Sequence, residues 1–326
     1  LQHKLIYVEA SRGCPYGCAF CRSAVKLVQG EPEKPAAGPV REFPLETFFS
    51  NFDALLQHCR KSTAKMHTIK FLDRSFNINL PRTLRILQFC LAKTLEIKTG
   101  DENWFQFHFE MVPGVFSPEL GKLLALFPPG AIRLEIGIQS FNPLSCSLIH
   151  RISNPEKELE LLRFLREETH AILHVDLIAG LPGEDLASFG RGFDRLWIIL
   201  SSRELFNSAP FEIQPGLLKV LPGTPIYEMA ELDSFNVRFN KSAPYEVIET
   251  NLFSVNDMER IKNFARFWES LVNQGKFPGM LPFLAPPGVP VFDRFMELSQ
   301  KLTDRFGRSW GIPKQELEAY LEGIAR

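Results

Sequence analysis

The sequence predicts an α/β fold: a partial (β/α)6 barrel, similar to an incomplete TIM barrel, followed by a mainly helical C-terminal domain. One observation is that short apolar segments typical of strands alternate six times with segments of helical periodicity, up to about residue 220. A second is that such strands pair in parallel, because parallel neighbours need a crossover connection, and that a complete barrel would need eight units. A third is that the patterns after residue 255 are helical.

The length and composition indicate two globular domains. The chain has 326 residues, of which 45% are hydrophobic and 23% charged, so a wholly disordered or fibrous chain is excluded. A segment punctuated by Pro and Gly begins near residue 222. We therefore place the barrel at residues 1–222 and the helical domain at residues 223–326. The last predicted helix runs to Arg326 without a clear cap, so a truncated C-terminal domain is one expectation.

The charge balance and the cysteines restrict the partners and the compartment. The net charge is −1 and no polybasic run stands out, which argues against nucleic-acid binding driven by charge. No apolar run approaches the roughly 20 residues that span a bilayer, and the first residues lack a signal-peptide pattern. Three of the six cysteines are clustered, which in a chain without a signal indicates a metal or redox site in a reducing compartment. We expect a cytoplasmic protein that binds neither a membrane nor nucleic acid.

The six strands are predicted from short apolar segments. Residues 5–10 (LIYVEA) lead directly into the cysteine-rich segment, and residues 104–111 (WFQFHFEM) alternate as a half-buried strand does. The predicted strands are residues 5–10, 68–72, 104–111, 132–138, 172–179 and 211–220.

The helices are predicted from apolar residues at helical spacing and from capping residues. Pro81 suits a first helical turn, and Ser117 is expected as an N-cap before Pro118. Residues 29–40, rich in Gly, Pro and charge, are predicted as a surface loop. The predicted helices are residues 44–60, 80–95, 117–127, 155–169 and 186–200 in the barrel, and residues 256–273, 291–306 and 313–325 in the C-terminal domain.

Cys14, Cys18 and Cys21 form a C-x3-C-x2-C triad directly after the first predicted strand. Three thiolates on one tight loop can hold three corners of a [4Fe–4S] cluster, because thiolate is the ligand that iron–sulfur chemistry requires. A fourth cysteine is absent nearby, so the fourth iron would be an open site for a chelating small molecule. A zinc site is the alternative, but it usually needs a second cysteine pair or spaced histidines, and neither is present.

The triad, with Phe20 before its last cysteine, resembles the radical S-adenosylmethionine (radical SAM) superfamily. Segments after the later predicted strands are similar to strand-end motifs of its cobalamin-type branch. These are residues 71–77 (FLDRSFN), 107–110 (FHFE), 135–140 (EIGIQS), 176–184 (DLIAGLPGE) and 214–219 (QPGLLK). Residues 245–277 resemble an uncharacterised C-terminal domain that is often attached to those proteins. Chemistry in parallel barrels lies at the carboxyl ends of the strands, so all these segments should converge on one rim.

The resemblance implies that Cys14, Cys18 and Cys21 are the cluster ligands, that the open iron binds SAM, and that the protein is an enzyme. It further implies cofactor-binding roles for several residues, while it singles out no catalytic residue. These residues are Phe20 near the cluster and adenine, Asp73 with Asn77 at the methionine end, Glu110 at the ribose or substrate, Gln139 and Ser140 at the ribose or carboxylate, Arg151 at the SAM carboxylate, and Gly180 at the adenine.

Each of these residues also has an ordinary structural explanation. Phe20 could belong to the core, Asp73 and Asn77 could cap a helix, Glu110 could end a solvated strand, Arg151 could lie on the surface, and Gly180 could simply form a turn. Glu135 lies inside a predicted strand and, if buried, needs a partner, for which Arg133, His108 and Arg151 are candidates. Gln214 and Lys219 are candidates for the substrate side.

The implied reaction is reductive cleavage of SAM to a 5′-deoxyadenosyl radical, which abstracts hydrogen from an unknown substrate. The electron would come from a reductant protein such as flavodoxin or ferredoxin. Methyl transfer is the next expectation if a cobalamin domain lies upstream, but the sequence has no Asp-x-His-x-x-Gly cobalamin signature, so cobalamin use is left open. The competing hypothesis is a non-enzymatic [4Fe–4S] protein for electron transfer or redox sensing. A fragment that binds a cluster without turnover is a third.

Overall fold

The structure is a computed structural model that describes residues 3–24, 40–62, 66–96, 104–202, 210–230 and 236–325. Its centre is a six-stranded sheet in which the strands follow one another in sequence order, and the described pairings among the first four strands are parallel. This is the arrangement that the strand–helix alternation predicts. The strands are β1 (His3–Val8), β2 (Met66–Phe71), β3 (Trp104–Met111), β4 (Ile132–Gln139), β5 (Ile172–Ala179) and β6 (Phe211–Leu217).

Eleven α-helices lie within the described residues, and most begin at a recognisable cap. Ser117 accepts a hydrogen bond from the Leu120 N–H, as predicted, and Asn79 accepts one from the Arg82 N–H. The helices are α1 (Leu45–Arg60), α2 (Leu80–Leu95), α3 (Pro118–Leu124), α4 (Pro143–Leu148), α5 (Pro155–Glu168), α6 (Leu186–Leu200), α7 (Pro225–Ala230), α8 (Val255–Trp268), α9 (Leu281–Leu284), α10 (Phe292–Phe306) and α11 (Lys314–Ala325). None of these helices is long and apolar enough to cross a membrane.

The chain packs as two compact units. The first comprises Leu1–Ile138, Arg151–Val175 and Asn207–Phe211, and the second comprises Gln139–His150, Asp176–Phe206 and Glu212–Arg326. Each unit therefore contains segments that are distant in the chain. The domain boundary expected near residue 222 stays a prediction.

Phenylalanines dominate the core of the first unit. The ring of Phe52 on α1 packs edge-on against Phe71 of β2 and Phe107 of β3, with 5.7 and 6.1 Å between ring centroids. These rings lie on one face of the strands, since side chains alternate along a strand. Along β3 the intervening positions, which include His108 and Glu110, point to the opposite face. One face of the sheet is thus apolar and covered by helices, and the inner face carries polar side chains.

Aromatic packing among three helices forms the core of the second unit. Phe193 of α6 contacts Phe264 and Trp268 of α8, and Phe264 packs against Phe292 and Phe295 of α10, with ring centroids 4.7 to 5.2 Å apart. Edge-on and tilted contacts of this kind stabilise the interior beyond the burial of area alone. The helical character predicted for the C-terminal domain is confirmed.

Several short elements were not predicted. They are α4, α7, α9 and two small antiparallel strand pairs, Ser11–Arg12 with Arg41–Glu42 and Arg238–Phe239 with Val247–Glu249. The strand predicted for residues 211–220 ends at Leu217. Beyond this residue the Leu218 N–H still donates to the Ala179 carbonyl oxygen of β5, whereas the Leu218 carbonyl oxygen accepts from the Val247 N–H and the Val220 N–H donates to the Tyr245 carbonyl oxygen. The loop predicted for residues 29–40 falls, except for Val40, outside the described residues.

Candidate functional site

The three cysteines lie on one loop that follows β1 in the first unit. The Cys21 N–H donates to the Cys18 carbonyl oxygen at 3.0 Å, which closes a turn between the last two cysteines. Gly13 adopts a φ of 108°, a conformation that favours glycine and starts the loop. All three thiols are free and half-buried, and they are close enough for their charges to interact.

Asp73 anchors the start of this loop. Its carboxylate accepts hydrogen bonds from the Ala10 N–H at 3.0 Å and from the Ser11 hydroxyl at 2.6 Å. Burial raises the pKa of Asp73, and these hydrogen bonds oppose the shift. Asp73 is not a helix cap, since Asn79 fills that position for α2. The expected contact of Asp73 with the methionine end of SAM stays a prediction.

The surroundings of the thiols show how they could be held ionised. Polar groups of Tyr16 and Ser75 lower the pKa of Cys14, and the positive charge of Arg151 lowers the pKa of Cys18. Burial nevertheless raises the pKa of both thiols. A bound metal would deprotonate them, because its positive charge outweighs the cost of burying a thiolate. These residues therefore fit an iron–sulfur cluster, for which an all-sulfur donor set is the usual one.

Arg151 bridges the loop and the sheet within the first unit. Its guanidinium also donates to the carbonyl oxygen of Gly137 on β4, while its Nε atom is buried without a hydrogen-bond partner. Buried polar atoms are normally hydrogen-bonded, so this atom is available to a ligand or a water molecule. Arg151 is thus not a free surface residue. Its predicted contact with the SAM carboxylate is not tested by the structure.

Glu110 ends β3 beside the cysteine loop. Arg74 donates to both carboxylate oxygens of Glu110, at 3.0 and 3.3 Å. The negative charge of Glu110 acts on Cys14. Burial raises the pKa of Glu110, and Arg74 opposes that shift. The Asn77 side chain does not reach outward, because its amide pairs with both the N–H and the carbonyl of Val112. The first unit therefore gathers Glu110, Arg74 and Arg151 around the thiols.

Phe20 is half-buried on the cysteine loop, directly before Cys21. It is therefore not part of a fully buried core. Its predicted place near the cluster and adenine stays a prediction.

Gln139, Ser140 and Gly180 belong to the second unit. Gln139 has a φ of 70°, which is strained for a residue with a side chain, and its buried Oε1 atom lacks a partner. Ser140 donates to Glu184 at 2.6 Å, and the second oxygen of that carboxylate is buried without a partner. Burial raises the pKa of Glu184 to about 7. The strain and the two unpaired oxygens are features typical of ligand-binding positions.

Gly180 has a packing reason to be glycine. Its φ is 86°, and a Cβ atom there would lie 3.1 Å from the Met258 side chain. A turn conformation and close packing therefore explain this residue without a ligand. Its predicted contact with adenine stays a prediction. Of the two candidates for the substrate side, Gln214 is half-buried on β6 and Lys219 is exposed.

A charge network that sequence reasoning found only in part lies on the inner face of the first unit. Glu135 accepts a hydrogen bond from Lys70 at 2.7 Å, and the His108 Nε2 atom lies 3.0 Å from the same oxygen. His108 was among the expected partners of Glu135, whereas Lys70 was missed and Arg133 instead contacts His174. The matching alternation of the two neighbouring strands was the signal that could have placed Lys70 there.

The remaining cysteines are buried in helices. Cys59 and Cys90 lie in α1 and α2, and Cys146 in α4 contacts the Ser140 carbonyl oxygen. In the described ranges no group of three or more His, Cys, Asp and Glu side chains is arranged around a single metal ion. In a cubane cluster each cysteine ligates its own iron, so such thiols need not converge on one ion.

Two family models match the chain. The model described as the radical SAM superfamily matches residues 8–195, more than half of the chain. The model described as a protein of unknown function (DUF4080) matches residues 233–311. A comparison with curated proteins found no match. The first match confirms the predicted superfamily and enzyme class, and with them a [4Fe–4S] cluster and SAM as cofactors at the level of the family.

Solved structures of radical SAM enzymes share the fold. One is the methyltransferase TsrM from Kitasatospora setae with tryptophan substrate and a SAM analogue bound, at 17% identity and a TM-score of 0.53. Another is the apo form of the cobalamin-dependent SAM radical enzyme OxsB, at 16% identity and a TM-score of 0.58. The matches cover 74% and 91% of this chain, but only 42% and 46% of those proteins. The likeness confirms the predicted partial barrel, and the chain spans less than half the length of either structure.

Proposed function

The chain belongs to the radical SAM superfamily, and from this premise we propose that it cleaves SAM reductively on a [4Fe–4S] cluster held by Cys14, Cys18 and Cys21. The observation that carries the proposal is the arrangement of these three free thiols on one loop, with the positive charge of Arg151 acting on one of them. When bound, the reduced cluster supplies the electron that splits SAM into methionine and a 5′-deoxyadenosyl radical, which abstracts hydrogen from a substrate.

The residues around the loop have distinct parts in this proposal. Asp73 holds the start of the loop through Ala10 and Ser11. Arg151 offers its unpaired Nε donor to the SAM carboxylate, since guanidinium groups bind carboxylates strongly. Glu110 contributes a negative charge beside Cys14 that suits the cationic or hydroxyl groups of SAM. Gln139 and Ser140 offer polar atoms for the ribose.

The supply of electrons is part of the proposal. We assign it to a reductant protein of the flavodoxin or ferredoxin class in the cytoplasm, a reducing compartment in which free thiols persist.

Hydrogen abstraction and methyl transfer are the two reaction classes to be separated. Methyl transfer is supported by the likeness to TsrM, which is a methyltransferase. The use of cobalamin is supported by the likeness to OxsB, which is cobalamin-dependent. The products distinguish them, because methyl transfer from SAM leaves S-adenosylhomocysteine and hydrogen abstraction leaves 5′-deoxyadenosine. The assay is therefore run with and without added hydroxocobalamin.

The deciding experiment is anaerobic. The chain is reconstituted with iron and sulfide, SAM and dithionite are added, and 5′-deoxyadenosine and S-adenosylhomocysteine are quantified by mass spectrometry. Cys18→Ala is expected to abolish product formation. Cys59→Ala is the matched control, because Cys59 is a buried cysteine of α1 and does not belong to the loop, and it should retain activity.

The outcomes are separable. Product from the chain and from Cys59→Ala, but not from Cys18→Ala, supports the proposal. A complete cluster that yields neither nucleoside product contradicts it, and it favours an electron-transfer protein or a fragment without turnover.

A further inference from the structure

The inner face of the first unit is unusually polar for a barrel. The interior of a complete (β/α)8 barrel is packed with branched apolar side chains. Here Lys70 of β2 is the register partner of His108 on β3, and Glu135 of β4 is the partner of Glu110 on β3. Register partners share a face, and so do residues two apart on a strand. All four side chains therefore point away from the phenylalanine core.

Three of these side chains form a network around one oxygen atom. The Lys70 Nζ and the His108 Nε2 lie 2.7 and 3.0 Å from Oε2 of Glu135. Burial opposes ionisation of Glu135, but the close contacts with His108 and Lys70 outweigh it and lower its pKa to about 2. Lys70 and Glu135 therefore form a half-buried ion pair. Such a pair does not by itself contribute much to the stability of the fold.

The spare hydrogen-bonding capacity of the network lies on Lys70. An ammonium group has three N–H donors, and among the described residues Lys70 donates only to Glu135. Its side chain is 22% exposed, so its two remaining donors can reach a ligand. The two carboxylates on this face are already engaged, Glu135 by Lys70 and Glu110 by Arg74. A ligand that uses the two remaining donors of Lys70 must supply acceptor oxygens.

We propose that Lys70 binds an oxyanion of the substrate, a carboxylate or a phosphate, with Glu135 and His108 holding the lysine in position. The inference rests on the proposed function, since it assigns the substrate class of the same barrel. The position of Lys70 suits this role. Its register partner His108 precedes Glu110 by two residues, about 6.6 Å along the strand, and the charge of Glu110 acts on Cys14. A substrate anchored at Lys70 would extend from the interior towards the cysteine loop.

The test is a titration of the reconstituted chain, by calorimetry under anaerobic conditions. Inorganic phosphate and acetate are the two probes, so that binding of a phosphate and binding of a carboxylate are measured separately. Glycerol is the neutral control. Lys70→Met should weaken binding of the preferred probe at least about tenfold, the usual effect of losing a hydrogen bond to a charged group. Glu135→Gln keeps an acceptor oxygen that can hold Lys70 in position but removes the competing negative charge, so it should tighten binding of the probe.

The matched control is Lys93→Met. Lys93 pairs with Asp53 at 2.7 Å and is 19% exposed, nearly the values of the Lys70 pair, but it lies on α2. This variant should bind both probes as the unchanged chain does. If Lys70→Met does not fold, as judged by circular dichroism, the opposite effect expected of Glu135→Gln decides the question.

Three results would overturn the proposal: no binding of either probe, unchanged binding by Lys70→Met, or weaker binding by Glu135→Gln. The assay is independent of SAM cleavage. A chain that binds phosphate or acetate through Lys70 but forms no nucleoside product refutes the proposed function and leaves the oxyanion site intact.

Discussion

The positive charge of Arg151 acts on the Cys18 thiol and lowers its pKa, against the larger opposing effect of burial. The same guanidinium is tied to the Gly137 carbonyl oxygen on β4, so the cation cannot move freely away from the thiol. A positive charge near a ligating sulfur stabilises the more reduced state of an iron–sulfur cluster. Arg151 therefore links the cysteine loop to the sheet and tunes the site electrostatically.

Replacement of Arg151 by Met is expected to lower the midpoint potential of the reconstituted cluster by tens of millivolts, where about 59 mV is a tenfold change for one electron. The measurement is a redox titration monitored by electron paramagnetic resonance. Arg151→Lys keeps the charge and should show a smaller shift. An unchanged potential in Arg151→Met would mean that Arg151 has no electrostatic influence on the cluster.

Asp73→Asn is expected to destabilise the start of the cysteine loop. The amide replaces one acceptor oxygen by a donor that faces the Ala10 N–H or the Ser11 hydroxyl, at a site only 3% exposed. The free energy of unfolding should fall by about 1–3 kcal/mol, and the iron content after reconstitution should fall with it. Asp53→Asn is the control, because Asp53 sits in a more exposed ion pair and should cost less than about 1 kcal/mol. Urea denaturation and iron analysis check both; equal losses in the two variants would count against a specific role of Asp73.

The Glu184 carboxyl should make stability depend on pH. Burial raises its pKa to about 7 against the opposing hydrogen bond from Ser140, whereas the unfolded chain loses this proton near 4.5. Between these values only the folded state holds the proton. The free energy of unfolding must therefore decrease as the pH rises from about 4.5 to 7 and then level off, by an amount on the order of 3 kcal/mol.

Glu184→Gln tests this directly in the absence of SAM. The amide does not titrate, so the difference in unfolding free energy between the variant and the unchanged chain should shift in favour of the variant across this pH window. Ser140→Ala removes the group that opposes the shift and should extend the window to higher pH. A difference between Glu184→Gln and the unchanged chain that is constant from pH 4.5 to 8 would refute the assignment.

Two glycines of α6 provide a matched pair for the aromatic core of the second unit. A Cβ atom at Gly190 would lie 2.4 Å from the Phe292 ring, while one at Gly192 would lie 3.4 Å from Phe141, an ordinary contact. Gly190→Ala should therefore cost about 1–3 kcal/mol through overpacking. Gly192→Ala should be neutral or stabilising by up to about 1 kcal/mol, because alanine favours the helix. Thermal denaturation of the two variants compares them, and an equal response would show that α6 and α10 can separate at no cost.

Local patterns were sufficient to place most of the regular elements. The strands at residues 104–111 and 172–179 and the helices at residues 80–95 and 186–200 have the predicted bounds. Each carries a complete apolar period together with its own start and stop signals, so neighbouring elements hardly influence it. The cap at Ser117 was predictable for the same reason.

Contacts between residues that are distant in the chain were harder to predict from the sequence. Beyond the end of β6, the Leu218 carbonyl oxygen and the Val220 N–H pair with Val247 and Tyr245, which no local pattern records. The pairing of Glu135 with Lys70 depends on the register across three strands. Likewise, no local pattern records that the side chains of Asp73 and Asn77 engage the backbone of Ala10 and Val112.

The sequence by itself determined the order of strands and helices, the cysteine loop and the superfamily, because each is written in consecutive residues. Only the tertiary structure decided which charges meet: Arg151 with Cys18, Arg74 with Glu110, and Lys70 with Glu135. The physical reason is that electrostatic interactions depend on distance in space and on burial, and both are set by the register and packing of strands that lie far apart in the chain.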